Sequence, residues 1–195
     1  MREPDPTLRV AQLVPDTEAE GPGRRFAIWT QGCPLRCPGC CNPEMLPLEG
    51  GTAWSVAELG RRVLGTTGIE GLTLLGGEPF AQAAACAALA REVRRAGLSV
   101  VTFTGYTLAE LRAGTEPSWA GLLEVTDLLV DGRYDPSRPE RERRWVGSAN
   151  QELHFLSGRY RPDDPRLAAP NTVELRLDGA GLLVNGWPGS AEIRR

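Results

Sequence analysis

The sequence contains no lysine, and all 22 of its basic residues are arginine. Catalysis through a lysine Schiff base is therefore excluded. Histidine is nearly absent as well: His154 is alone, and no convincing Ser/His/Asp or paired-carboxylate constellation is present. No apolar run approaches the roughly 20 residues of a membrane-spanning helix. These absences argue against hydrolytic catalysis and against a membrane-spanning helix.

The composition is that of an ordinary globular protein, with 41% hydrophobic and 24% charged residues. A length of 195 residues suits one domain with a real core. The net charge of -3 argues against general nucleic-acid binding. The first six residues are acidic and proline-rich, unlike a signal peptide. We therefore predict a cytoplasmic protein whose thiols stay reduced.

Three cysteines, Cys33, Cys37 and Cys40, follow one another with the spacing C-x3-C-x2-C. Pro34 and Pro38 lie between them, and each lacks an amide donor and fixes its own φ, so this stretch is a loop rather than a regular element. A loop can wrap its thiolates around one inorganic centre. Three thiolates are one fewer than the usual set of a [4Fe-4S] cluster, which would leave one iron open to an outside ligand.

The cysteines also allow two other interpretations, a structural zinc site and a disulfide framework. A structural zinc site needs four ligands, and Cys41 is a poor fourth because adjacent side chains point apart, while His154 is distant in sequence. A disulfide framework is disfavoured by the odd total of five cysteines. Cys86, in an alanine-rich stretch, is most simply a small core residue.

The cysteine spacing is typical of radical S-adenosylmethionine (SAM) enzymes. Further motifs, in order, resemble those of the activating enzymes of anaerobic ribonucleotide reductase. They are Gly21-Pro22-Gly23, Gly76-Gly77-Glu78-Pro79, Thr104-Gly105-Tyr106-Thr107-Leu108, Val130-Asp131-Gly132-Arg133-Tyr134 and Trp145-Val146-Gly147-Ser148-Ala149-Asn150-Gln151. The resemblance extends over residues 21–156.

The resemblance implies a radical SAM oxidoreductase in which Cys33, Cys37 and Cys40 hold the [4Fe-4S] cluster and SAM chelates its open iron. One electron from the cluster would split SAM into methionine and a 5′-deoxyadenosyl radical, which abstracts a hydrogen atom. The expected outcome is a glycyl radical on an anaerobic ribonucleotide reductase or a similar enzyme. The implied partners are that enzyme and a reductant such as flavodoxin or ferredoxin, with no nucleic acid and no membrane.

The same resemblance implies which residues contact SAM. The carbonyls of Gly76 and Gly77 would accept hydrogen bonds from the methionine ammonium, and Glu78 would support their turn. The other SAM candidates are polar residues at strand ends or in later motifs: Thr104, Asp131, Arg133 and Asn150, with Gln151 beside the last. No catalytic residue is expected beyond the cluster and SAM.

The pattern of elements predicts an α/β fold with a parallel sheet and right-handed crossovers. The predicted strands span residues 25–30, 71–75, 98–104, 127–131 and 151–156, and the predicted helices span 55–64 and 79–96, with a short one from 107. Because a full eightfold barrel needs about 250 residues, we expect a partial (β/α)5-6 radical SAM barrel. Its lateral opening would admit a segment of a protein substrate.

We divide the chain into an N-terminal arm at 1–20, a barrel core at 21–158, and a linker with a β-hairpin at 159–195. The arm is expected to be extended or to form an edge strand. The hairpin, at 173–185, has no chemical role that the sequence indicates. The charged segment 133–144 reads as a solvated loop or as a loop that meets a partner.

Two alternative functions remain open at this point. The first is a radical SAM enzyme that modifies a small molecule or a ribosomal peptide. The second is a non-catalytic metal-binding scaffold that keeps the cysteine motif. Cys41 and Cys86 cannot form a second four-cysteine cluster, which argues against enzymes with an auxiliary cluster domain.

Overall fold

The computed structural model describes residues 5–178 and 181–186. Its strands are β1 (Thr7–Thr17), β2 (Arg25–Thr30), β3 (Thr52–Ser55), β4 (Gly71–Gly76), β5 (Ser99–Phe103), β6 (Leu128–Asp131), β7 (Glu152–Phe155), β8 (Glu174–Asp178) and β9 (Gly181–Asn185). Its α-helices are α1 (Val56–Gly65), α2 (Ala83–Arg95), α3 (Leu108–Ala113) and α4 (Pro117–Val125). The predicted mixed α/β fold is confirmed.

Seven strands form one sheet in the order β3-β1-β2-β4-β5-β6-β7. The four central strands β2, β4, β5 and β6 are parallel, and helices connect them. β1, β3 and β7 are antiparallel to their neighbours. Since parallel strands end at the same edge of a sheet, the loops that follow β2, β4, β5 and β6 meet at one place.

The two faces of the sheet pack differently, because successive strand residues point to opposite sides. Ile28 of β2 and Leu74 of β4 belong to the main core, together with Leu59, Leu89 and Leu122 from three of the helices. The neighbouring residues on the strands point the other way: Ala27, Trp29 and Leu75 form a smaller cluster with Val14 and Met45. The helices therefore cover one face and leave the other for a cavity.

Several element starts follow from capping chemistry that the sequence predicts. Ser55 accepts a hydrogen bond from the amide of Glu58 and begins α1. Thr107 and Glu110 form a reciprocal capping box at the start of α3. The predicted helix over 79–96 is wrong in its first turn, which is a 3-10 turn at Pro79–Gln82. The backbone of Gln82 is not helical, and its side chain pairs with β1, donating to the carbonyl of Arg9 and accepting from its amide.

Four features of the fold were not predicted. β1 is an interior strand paired with β2 and β3, rather than an edge strand, and β3 itself was missed. α4 was missed as well, although Pro117 and the capping carboxylate of Glu116 mark its start. β7 runs antiparallel to β6, because no helix lies between them to return the chain in the parallel direction.

The charged segment 133–144 is mainly exposed, and it folds on itself around one carboxylate. Glu140 accepts from the amides of Arg141 and Glu142 at 2.8 and 2.9 Å and pairs with the guanidinium of Arg143. These hydrogen bonds, of which the one from the Glu142 amide has the largest effect, lower the pKa of Glu140 to about 2.

No helix among the described residues is long and apolar enough to cross a bilayer.

The predicted C-terminal hairpin is confirmed as β8 and β9, which form their own two-stranded sheet. It docks on the end of β1 and the residues after it. The amide of Glu18 donates to Glu174, the side-chain amide of Asn185 donates to Thr17, and the amide of Gly186 donates to Glu20 at 2.6 Å. The hairpin is thus anchored beside the cavity face of the large sheet.

Candidate functional site

The three-cysteine loop leaves the end of β2 and is held at its start by backbone hydrogen bonds. The amides of Gly32 and Cys33 donate to the carbonyls of Met45 and Leu46, at 2.9 and 3.1 Å. All five cysteines are free thiols. Cys33, Cys37, Cys40 and Cys41 line one cavity of about 840 Å³ on the face of the sheet that the helices leave open.

The thiols in this loop differ in their electrostatics. A hydrogen bond with the neighbouring Cys41 side chain lowers the pKa of Cys40, which favours its thiolate. Burial raises the pKa of Cys33. Within the part of the chain that the structure describes, no three histidine, cysteine or acidic side chains are arranged to hold a single metal ion. The three cysteines therefore share a loop and a cavity without forming a closed site by themselves.

The Gly76-Gly77 turn presses against the backbone that leads into the cysteine loop. The amides of Gly77 and Glu78 donate to the carbonyls of Thr30 and Gly32, at 2.8 and 2.9 Å. A Cβ on Gly77 would lie 2.5 Å from the Gly32 carbonyl oxygen, and Gly76 has a φ of 99°. Glycine is required here so that two backbones can approach closely.

Glu78 connects this turn to the end of β5. It is fully buried, and its two carboxylate oxygens accept from the amide of Phe80, the hydroxyl of Thr104 and the amide of Gly105, each at 2.9 Å. Burial raises the pKa of Glu78 to about 7 in spite of these donors. Glu78 therefore fixes the position of one strand end relative to the next.

The structure brings some of the predicted SAM residues to the cavity and leaves others beside it. Gly76, Gly77, Glu78 and Thr104 line the cavity together with the cysteines, as does Gln151. Asp131, Arg133 and Asn150 are engaged elsewhere. Asp131 accepts from the amide of Leu108 and contacts His154 Nε2 at 2.8 Å, Arg133 pairs with Glu110, and Asn150 donates to the Arg133 carbonyl.

One wall of the cavity was not predicted from the sequence. It is lined by residues of β1 and the segment that follows, of the loop before β7, and of the hairpin: Gln12, Ala19, Glu20, Trp145, Leu182, Leu183, Val184, Asn185 and Gly186. Trp145 is the one member of this wall that lies in a motif named above. No sequence signal marks the hairpin as part of a site, because its role depends on docking to residues more than 150 positions away.

A family model described as a 4Fe-4S single cluster domain matches residues 19–154. The anaerobic ribonucleoside-triphosphate reductase-activating protein of Vibrio cholerae is 33% identical over 152 residues, which are 73% of this chain and 95% of that protein. The chain belongs to this family of single-cluster activating proteins. Another member, from Escherichia coli, is 29% identical over 153 residues, covering 74% of this chain and 97% of its own length.

Among solved structures, QueE from Escherichia coli has a TM-score of 0.41 at 20% identity, covering 52% of this chain and 54% of QueE. Likeness at this level supports no statement about fold or function. The match to the family model ends at residue 154, before the hairpin.

The residues in the cavity fit the cofactor that the family match implies. A [4Fe-4S] cluster is bound by cysteine thiolates, and the loop offers three free thiols on one cavity, of which Cys40 has a lowered pKa. The cavity volume lies within the range of about 300–1,000 Å³ that is usual for ligand sites, so a small organic cofactor fits beside the cluster.

Proposed function

We propose that this protein is a radical SAM activase that installs a glycyl radical on an anaerobic ribonucleotide reductase or a similar enzyme. One observation carries the proposal. In a chain of the single-cluster activating family, the cysteine loop, the Gly76-Gly77 turn and the end of β5 meet in one cavity large enough for a nucleoside cofactor.

Cys33, Cys37 and Cys40 are the proposed ligands of the [4Fe-4S] cluster. These three side chains would hold the cluster, which would supply the one-electron reduction of SAM that hydrogen-atom abstraction requires. The chain's own task is to hold the reacting groups and to keep water out. Apolar side chains suited to the second role line the cavity: Trp29, Leu75, Phe103 and Val130.

Gly76, Gly77, Glu78 and Thr104 are the proposed SAM-binding residues that already line the cavity. Asp131, Arg133 and Asn150 remain proposed members of the same set. Each has a partner within the protein, so a contact with SAM requires it to exchange that partner. In their present arrangement Asp131 and Arg133 position the start of α3, through Leu108 and Glu110.

The sheet is, in this proposal, a partial radical SAM barrel of which β2, β4, β5 and β6 are the parallel strands. A sheet that does not close leaves a lateral opening through which a glycine-bearing segment of the reductase can enter. The proposed external reductant is a flavodoxin or ferredoxin, and the proposed location is the cytoplasm. The proposed division into an arm at 1–20, a core at 21–158 and an extension at 159–195 places the cluster in the core.

The test uses protein loaded with iron and sulfide without air, reduced, and mixed with SAM and the anaerobic reductase of the same organism. We expect a glycyl-radical doublet in the EPR spectrum of the reductase. Cys37→Ala abolishes it, whereas Cys86→Ala, a change at a buried cysteine in α2 outside the cavity, preserves it. An active cluster that cleaves SAM and yields no doublet would contradict the activase proposal.

A further inference from the structure

The cysteine loop has two sides. The side towards the cavity carries the three proposed cluster ligands and one apolar residue: Cys33, Cys37, Cys40 and Leu35. The other side consists of exposed residues that do not line the cavity: Pro34, Arg36, Pro38 and Gly39. A cluster held by the three cysteines therefore has the cavity on one side and the outer residues of the loop on the other.

Arg36 combines a constrained backbone with an unpaired side chain. Its φ of 50° lies in the left-handed region, which residues other than glycine adopt only occasionally. Its amide donates to the thiol of Cys33, so the backbone conformation serves a proposed ligand. The ion pairs of the described residues give the Arg36 guanidinium no carboxylate partner. A free cation thus lies on the outer side of the loop.

The segment after β6 extends this outer side. A Cβ on Gly39 would lie 3.5 Å from the ring of Pro136, so the segment packs directly against the loop. Pro136 belongs to a turn that is closed by a hydrogen bond of 3.1 Å from the Arg138 amide to the Asp135 carbonyl. Arg138 is exposed, and it too forms no ion pair among the described residues.

These neighbouring exposed side chains form one surface beside the proposed cluster. We call it the arginine–proline surface, and it consists of Pro34, Arg36, Pro38, Pro136 and Arg138. Proline has a fixed φ, so its apolar ring is presented with little conformational freedom left to lose on binding. The surface therefore offers a rigid apolar centre with positive charge at its edges.

The charge of this region is opposite to that of the whole protein. Residues 133–144 contain five arginines and three acidic residues, a net charge of +2, and residues 32–42 add one arginine and no acid, whereas the chain carries -3. Asp135 is bound by donors of its own turn, and Glu140 by amides of the residues that follow it. Glu142 is exposed further along the segment. A positive region on an acidic protein attracts an acidic partner to that region.

The proposed function leaves this surface free. SAM and the substrate segment occupy the cavity, so an external reductant needs a second approach to the cluster. The outer side of the loop provides one, because Cys37 and Cys40 are only half-buried there. A protein that binds on this side does not compete for the cavity.

We propose that the arginine–proline surface is the docking site of the electron donor, an acidic carrier protein that delivers one electron at a time. The carrier is oxidised by one electron and the cluster is reduced by one, while no bond forms or breaks and no proton moves. The inference rests on the proposed function and names the face of the protein that its reductant uses. Complexes between redox proteins are small, below about 1,200 Å² of buried surface, and a surface of this kind suits them.

The test uses cluster-loaded protein without SAM and an acidic ferredoxin of the same organism, both kept without air. Stopped-flow absorbance gives the second-order rate constant for cluster reduction by reduced ferredoxin, and titration with oxidised ferredoxin gives its Kd. We expect Arg36→Glu and Arg138→Glu each to lower the rate constant and weaken binding about 3- to 10-fold at low ionic strength. The differences should shrink at high salt, because salt screens exposed charges.

Matched controls are Arg61→Glu and Arg95→Glu, which make the same charge change at exposed positions on α1 and α2. Both should behave as wild type with ferredoxin. Photoreduced deazaflavin, a small donor that needs no docking surface, should reduce the cluster of every variant at the wild-type rate. Equal losses in the controls would show an effect of net charge and overturn the proposal.

Three further results would also overturn it. They are unchanged rate and affinity in Arg36→Glu and Arg138→Glu, failure of ferredoxin to reduce the wild-type cluster, and weaker binding of the reductase with unchanged ferredoxin reduction, which would assign the surface to the substrate protein. The proposed function is tested separately with chemically reduced protein, which bypasses the docking surface. A missing glycyl-radical doublet under those conditions would contradict the activase, whereas a doublet together with unaltered ferredoxin kinetics in both variants would contradict the docking site alone.

Discussion

Glu78 accepts a hydrogen bond from the hydroxyl of Thr104 at 2.9 Å, across 26 positions of sequence. This bond joins the turn after β4 to the end of β5, while the backbone of Gly77 and Glu78 joins the same turn to the loop after β2. The ends of three strands that neighbour one another in the sheet, β2, β4 and β5, are therefore connected. The geometry of the cavity depends on those connections.

Replacing Glu78 with glutamine should destabilise the fold by about 1–3 kcal/mol, because the amide nitrogen cannot accept from the donors that face it. The buried carboxylate serves three donors, and glutamine leaves at least one of them unpaired. Urea unfolding of the cluster-free protein measures the change. Glu124→Gln, at an exposed position on α4, is the control, and an equal effect of both changes would contradict the prediction.

Gly77→Ala should lower cluster occupancy. The added Cβ would lie 2.5 Å from the Gly32 carbonyl oxygen, so the backbone directly before Cys33 must move. We expect at least a severalfold loss of iron per chain after anaerobic reconstitution. Gly65→Ala adds the same methyl group at the end of α1, where nothing lies within 4 Å, and should retain full iron content.

The stability of the protein should fall as pH rises from about 4.5 to 7, in part through Glu20. Burial raises the pKa of Glu20 from 4.5 to about 7, so the folded state binds the proton more tightly than the unfolded state over this window. The stabilisation is complete below the pKa that Glu20 has in the unfolded state, and it is lost as the pH rises through the pKa of Glu20 in the folded state. Glu78, with a pKa also raised to about 7, acts in the same direction.

Glu20→Gln isolates this contribution, since glutamine keeps an acceptor for the Gly186 amide. The difference in unfolding free energy between wild type and variant should change by on the order of 3 kcal/mol between pH 4.5 and 8, at about 1.4 kcal/mol per unit of pKa shift. Urea midpoints at several pH values of the cluster-free protein measure it. A difference that does not vary with pH would show that the pKa of Glu20 is the same in the folded and unfolded states, and would contradict the prediction.

Tyr160→Phe should destabilise the protein by about 1–3 kcal/mol, as expected when a buried charged donor loses a partner. Arg25 is fully buried, and its guanidinium donates to Tyr160 Oη at 2.9 Å and to Ser99 Oγ at 2.7 Å. No carboxylate forms an ion pair with Arg25 among the described residues. Hydrogen bonds to these neutral acceptors therefore offset the cost of burying its guanidinium. Thermal unfolding measures the change, with Tyr106→Phe, on a ring packed against Trp119, as the control.

The parts of the fold that the sequence predicts are those determined locally. Residues 25–30 form an apolar strand, and the capping groups of Ser55 and Thr107 begin helices where their patterns indicate. The bond that joins Gln82 to Arg9, 73 positions away, could not be predicted, because it depends on tertiary contact between distant segments. The interior position of β1 has the same cause: it requires pairing with β3, a short strand with weak local signal.

In the candidate site too, residues in contiguous motifs could be predicted, whereas contacts set by the tertiary structure could not. The cysteine spacing and the Gly76-Gly77-Glu78 turn are contiguous motifs, and the structure places both on the cavity. Asp131, Arg133 and Asn150 also occur in motifs, but their side-chain partners are chosen by tertiary contacts that a motif does not reveal. Asn185 could not have been found, since its burial depends on how the hairpin docks.

The attachment of the hairpin determines when the cavity can form completely during translation. Its anchoring contacts join residues 156 to 168 positions apart, with Thr17, Glu18 and Glu20 on one side and Glu174, Asn185 and Gly186 on the other. A ribosome releases the first group long before it translates the second. A nascent chain can therefore fold its cysteine loop and sheet while one side of the cavity is still missing, and it gains a complete pocket only when translation has passed the hairpin.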